Sequence, residues 1–171
     1  MEIKNFFKII KWKEQFMDKA KFKYVSYISA SIDALWDALL DPEITTKYWQ
    51  MINVSDWKAG SKWEHRTQGK DAKTMLVGKV MEFSPPRKFV LTWADIEDEF
   101  NEEKYSRVTI ELMPFGSVIR LTVIHEELEP DSDMLEGISD GWHKVISSLK
   151  SLFETGHALP SLWDIEEAKA A

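Results

Sequence analysis

Residues 106–127 decide the fold: Ser106-Arg107-Val108-Thr109-Ile110-Glu111-Leu112-Met113-Pro114-Phe115-Gly116-Ser117-Val118-Ile119-Arg120-Leu121-Thr122-Val123-Ile124-His125-Glu126-Glu127. Val108, Ile110 and Leu112 alternate with Arg107, Thr109 and Glu111. Beyond a Pro114-Phe115-Gly116 turn, Ile119, Leu121, Val123 and His125 alternate with Arg120 and Thr122. Alternate residues of a strand point to opposite faces, so the stretch reads as an antiparallel hairpin with one apolar and one wet face.

Upstream the same period of two runs back to Met51. Turn residues at Gly60-Ser61, Gln68-Gly69-Lys70 and Ser84-Pro85-Pro86 divide it. Strands are expected near 51–55, 62–67, 73–83, 88–96, 104–113 and 117–127, and the ten-residue spacing implies a meander. An aromatic, β-branched run at 22–29 adds a first strand. Ser31 then caps a helix with Ile32, Leu35, Trp36 and Leu39 on one side, and Asp41-Pro42 starts a second short helix to about Lys47. Downstream, residues 133–156 carry Leu135, Ile138, Trp142, Val145, Leu149 and Leu152 at helical spacing, and Gly156 is placed to end the helix. One apolar stripe and one apolar sheet face bury each other only if the helix lies across the sheet. The class is therefore α+β.

The 171 residues include eight tryptophans and nine phenylalanines but no cysteine. Disulfide scaffolds, cysteine-ligated metal sites and thiol nucleophiles are excluded. The net charge of −7 argues against a nucleic-acid partner, and no apolar run is long enough to span a membrane. Residues 1–23 are the exception, with seven lysines against three acids. Lys4, Lys8, Lys11 and Lys19 share one face of a helical wheel, opposite Ile3, Phe6, Phe7, Ile10 and Met17. An amphipathic N-terminal helix is expected, docked on its own domain or on a twin subunit as a homodimer element, with membrane-surface attachment as the alternative. The expected division is a helical extension at 1–21, one domain at 22–157 and a tail at 158–171.

The stretch Ile32-Asp33-Ala34-Leu35-Trp36-Asp37-Ala38-Leu39 with Asp41-Pro42-Glu43 resembles the "vWeALtDPe" opening of a known family. Tyr48-Trp49 and Ser55-Asp56-Trp57-Lys58-Ala59-Gly60-Ser61 resemble its next block, and Pro85-Pro86-Arg87-Lys88 with Leu91-Thr92-Trp93 resembles its "PPrrlvyTW" segment. Ser106-Arg107-Val108-Thr109, Leu121 to Glu126, and Gly141-Trp142 through Lys150 follow in order. The family is the one similar to the C-terminal domain of the activator of the 90-kDa heat-shock-protein ATPase, within the START and Bet v 1-like (SRPBCC) superfamily. The resemblance implies a helix-grip fold, in which a curved antiparallel sheet of six or seven strands wraps a long C-terminal helix. It also implies a cavity between them, where relatives hold lipids, sterols, polyketides or plant hormones.

Inward parity then nominates the lining. The sheet would contribute Leu91, Trp93, Val108, Ile110, Leu112, Leu121, Val123 and His125. Trp142, Val145 and Ile146 would come from the helix, with Trp49, Trp57 and Trp63 near the mouth. His125 would be a polar handle, or else a core histidine bonded to backbone or to a carboxylate such as Glu126 or Glu127. Catalytic signals are sparse. The four histidines lack metal-ligand spacing, and Glu64 and His65, adjacent on a strand, face opposite ways. Neither a phosphate loop nor a nucleophile elbow occurs. Six acids between Asp95 and Glu103 read as a solvated hairpin tip rather than a calcium loop, and Asp131 and Asp133 as residues suited to a helix N-terminus.

Three functions follow in order. The first is a non-enzymatic module holding a small apolar or aromatic molecule, with no metal, cofactor or catalytic residue. The second, implied by the resemblance, is a cytoplasmic stress-response protein contacting a 90-kDa heat-shock-type chaperone. It ranks lower because residues 1–21 lack the Asn- and Trp-rich motif of the eukaryotic activators' separate N-terminal domain. The third is an enzyme of cyclase or hydrolase type using the same cavity.

Overall fold

A computed structural model describes residues 19–162. The expected N-terminal amphipathic helix and most of the tail lie outside the described residues. Strand β1 (Ala20–Ile28) leads into helices α1 (Ile32–Leu40) and α2 (Pro42–Tyr48). Six strands follow: β2 (Ile52–Ser55), β3 (Lys62–Arg66), β4 (Thr74–Ser84), β5 (Lys88–Asp95), β6 (Ser106–Phe115) and β7 (Val118–Leu128). Helix α3 (Asp133–Thr155) comes last. All pairings are antiparallel in the order β1-β7-β6-β5-β4-β3-β2, so the meander is intact and β1 closes against its last strand.

The caps are local chemistry. The Ser31 hydroxyl accepts the Ala34 N–H at 3.2 Å, and the Asp41 carboxylate accepts the Glu43 N–H at 2.8 Å with Pro42 at the first helical position. Each satisfies a helix-terminal donor that has no intrahelical partner. Gly156 ends α3 at φ 79, a left-handed conformation that glycine adopts without strain.

Register pairs Leu91 with Val108, Val108 with His125, Ile110 with Val123 and Leu112 with Leu121. These residues form the concave face and are almost completely buried. Ile138, Trp142, Val145, Ile146 and Leu149 of α3 are buried with them in one core. Gly78 is required where β4 passes β5: a Cβ there would lie 1.8 Å from the Thr92 carbonyl oxygen. The strand is irregular just beyond, between Val80 and Glu82.

Candidate functional site

Near the start of α3, helix and sheet separate around a cavity of about 340 Å³. That is within the usual size of small-molecule sites. One face of α3 supplies Asp133, Met134, Gly137, Ile138, Gly141, Trp142 and Val145 over four turns. The sheet supplies His65, Leu76, Trp93 and Asp95, and Trp49 caps α2 at its edge. His65, Leu76 and Asp95 are one cross-strand row, each the register partner of the next.

Two features keep the space open. Gly137 and Gly141 lie one turn apart on the helix face that borders it, and a Cβ on Gly137 would meet nothing within 4 Å. Glycine inside a helix costs about 1 kcal/mol relative to alanine, so the helix is locally weaker where the cavity needs room. The tryptophans brace one another: the Trp142 ring centroid lies 5.5 Å from that of Trp49 and 5.8 Å from that of Trp93.

Both buried histidines are neutral, and their partners fix their tautomers. Asn53, paired with His65 in register, donates from Nδ2 to the Leu39 carbonyl at 3.2 Å. Its Oδ1 therefore accepts from His65 Nδ1 at 2.8 Å, leaving the Nε2 lone pair without a partner among the described residues. Trp142 Nε1 can only donate, and it does so to Nδ1 of His125 at 3.3 Å. His125 Nε2 then donates to Ser106 Oγ at 2.8 Å, and that hydroxyl donates to the Trp93 carbonyl at 2.9 Å. Burial pushes each imidazole down to a pKa of about 3. The Ser106–His125 pair has the spacing of a nucleophile and its base, yet the imidazole donates where a base must accept. It holds Trp142 and Trp93, two cavity walls, in place.

Of the nominated lining, Trp49, Trp93, Trp142 and Val145 line this cavity. Trp63, Leu91, Val108 and Ile110 line a small recess behind Trp49, Trp93 and Trp142. Leu112, Leu121, Val123 and Ile146 belong to the core. Trp57 sits in a separate aromatic cluster, its ring centroid 5.8 Å from both Phe83 and Phe89. His125 is wholly buried and reaches neither Glu126 nor Glu127, which pair instead with Lys21 and Arg107. The expected backbone or carboxylate partner is corrected: the concave face places the Ser106 and Trp142 side chains at its two nitrogens. Glu64 and His65 do face opposite ways, with Glu64 between Lys62 and Arg66.

His65, Asp95, Asp133 and the two glycines were not nominated. In the sequence Asp95 and Asp133 belong to two separate acidic stretches, and the fold brings those stretches to one rim. Beside the cavity, a mainly acidic groove of about 380 Å³ shares Asp95, Asp133 and Met134 with it and adds Asp98, Glu127, Glu129 and Asp131, with Lys104 as its one basic residue. Burial, then the nearby Asp98, Glu97 and Asp133 carboxylates, raise the Asp95 pKa. Among the described residues no group of three or more His or acidic side chains is placed to hold a metal ion.

Fold and cavity define the class, an α+β helix-grip protein with an aromatic-walled pocket between sheet and terminal helix. The profile of the family described as "Activator of Hsp90 ATPase homolog 1-like protein" matches residues 29–154. The chain belongs to that family. Solved structures share the fold at low identity. The Aha1 dimer from Colwellia psychrerythraea is 17% identical with a TM-score of 0.65, over 80% of this chain and 98% of that one. CalU16 from Micromonospora echinospora is 20% identical with a TM-score of 0.66, over 84% and 71%. An HSP90 activator from Plasmodium falciparum is 21% identical with a TM-score of 0.63, over 77% and 94%. A comparison with curated proteins finds no match. No helix among the described residues is long and apolar enough to cross a membrane.

Proposed function

We propose that the protein is a non-enzymatic binding module that holds a small apolar or aromatic molecule between α3 and the sheet. The carrying observation is the cavity of about 340 Å³, walled by Trp49, Trp93 and Trp142, at which α3 places two glycines instead of core side chains. A core selected for packing alone would fill that space, since each unfilled methylene-sized void costs stability. The ligand class is aromatic or aliphatic rather than highly polar, because the walls offer ring faces and few hydrogen-bonding groups. Native mass spectrometry of protein purified gently from its source tests this reading. A reproducible extra mass of a few hundred daltons, lost on denaturation, is the expected result. A bare chain, together with failure of apolar ring compounds to bind in titration, rejects it.

Family membership supports a second reading, contact with a 90-kDa heat-shock-type chaperone in the cytoplasm, because the relative from Plasmodium falciparum is described as an HSP90 activator. Co-purification with such a chaperone, and a change in its ATPase rate on adding the pure protein, would carry this reading. An unchanged rate with no complex would remove it. The two readings are compatible if the cavity is occupied while an outer surface meets the chaperone.

A further inference from the structure

Resting on the reading of the cavity as a ligand site, we infer that its occupant is a cation: a protonated amine carrying an aromatic or other apolar body. The walls and the mouth point the same way. Asp95 and Asp133 both line the cavity, and neither has an ion-pair partner among the described residues. No lysine or arginine lines it. The adjoining groove adds Asp98 and Asp131 against one lysine, Lys104, while Glu127 and Glu129 there are paired with Arg107 and Lys19, so the balance along it stays negative. An approaching anion meets uncompensated negative charge, and an approaching ammonium is attracted.

The hydrogen-bonding inventory agrees. The residues around the cavity present mainly acceptors: two carboxylates, and a neutral His65 whose Nδ1 proton is committed to Asn53 so that Nε2 can only accept. An ammonium supplies up to three donors. The indole faces of Trp49, Trp93 and Trp142 are also the best side-chain partners for a cation, through the negative face of the ring quadrupole.

The N-terminus of α3 points the other way, because a helix N-terminus attracts anions. One of its free donors is already engaged, and its field is opposed by a carboxylate. The Ser132 hydroxyl accepts the Leu135 N–H at 3.1 Å, and Asp133 occupies the first turn with its own negative charge. A divalent metal fits less well than an amine, since the rim carboxylates do not gather three to one point.

Three probes of one shape separate charge from cavity: 1-naphthylmethylamine, 1-naphthylmethanol and 1-naphthoate, titrated calorimetrically into the full-length protein at pH 7 and low salt. The amine is expected to bind about tenfold tighter than the alcohol, the effect of one well-placed cation contact, and the carboxylate weakest. Asp95→Asn combined with Asp133→Asn should weaken the amine by more than it weakens the alcohol, closing the gap between them, with urea unfolding reporting that the variant is folded. Raising the salt to 0.5 M should weaken only the amine. Equal binding of amine and alcohol, or tightest binding of the carboxylate, overturns the charge assignment and leaves the cavity reading standing. Saturable binding by none of the three overturns both.

Discussion

A proton on Nδ1 of His125 would face the Trp142 indole N–H across 3.3 Å, two donors with no acceptor between them. A second proton on His65 would charge a side chain that is 3% exposed. Both imidazoles are therefore held neutral in the fold, with pKa values near 3, while the unfolded chain titrates them near 6.5. The folded pKa lies below the unfolded one. As pH falls from 6.5 towards 3, the unfolded state takes up protons that the folded state refuses, and stability falls. Between pH 6 and pH 5, above the range where most carboxylates titrate, each histidine should remove about 1.2 kcal/mol, or about 2.4 kcal/mol together. Urea unfolding at the two pH values measures this. His65→Gln should halve the pH slope; a slope that stays flat from pH 6 to pH 5 would mean that the imidazoles are not buried neutral. The Ser106–His125–Trp142 chain also explains why sequence alone could not name the partners of the histidine. Alternation placed His125 on the concave face correctly, but its partners come from a neighbouring strand and a distant helix, and no local pattern encodes them.

At the scale of elements, the meander was legible because turn residues recur every ten positions and the apolar period is two throughout. The strands fall within about three residues of the expected bounds. What patterning could not show is where an element is weakened on purpose. Gly78 and Gly137 look alike in sequence, yet their surroundings demand opposite outcomes. At Gly78 an added Cβ meets the Thr92 carbonyl oxygen at 1.8 Å, a backbone atom that cannot yield without parting β4 from β5. Gly78→Ala should cost about 3 kcal/mol, the upper end for overpacking, seen as a lowered urea midpoint with an unchanged slope. At Gly137 the same methyl enters open cavity. Gly137→Ala should stabilise α3 by about 1 kcal/mol and raise Tm by about 2–4 °C in calorimetry. Gly137→Leu should fill the cavity and abolish probe binding without unfolding the protein. Should Gly137→Leu bind the probes as well as the parent does, the ligand does not lie against this face of α3.

At the scale of the whole molecule, the site was less legible than the fold because its rim is assembled from segments about forty residues apart. The acids at 95–103 and 126–136 each have an adequate local explanation, a hairpin tip and a helix start. Only tertiary pairing places Asp95 beside Asp133. The chain carries −7 overall, and the fold concentrates part of that charge around a partly desolvated carboxylate instead of dispersing it. The Asp95 pKa is raised, first by burial and then by Asp98, Glu97 and Asp133. A carboxyl whose folded pKa exceeds its unfolded one is destabilising when ionised, and the loss is recovered as pH falls through the folded value. At pH 7, Asp95→Asn should therefore stabilise the free protein, by no more than about 0.5 kcal/mol because the side chain remains partly in water. The gain should shrink as salt screens the neighbouring acids. The same substitution should weaken the naphthyl amine more than the alcohol. Thermal unfolding with and without saturating amine reads both effects at once: the variant melts higher alone, and the amine raises its melting temperature less than it raises that of the parent. Such a pairing is expected where charge is kept for a ligand at the expense of stability. If Asp95→Asn lowers the melting temperature of the free protein, the carboxylate is a structural partner, and the acidic rim has no claim on a cation.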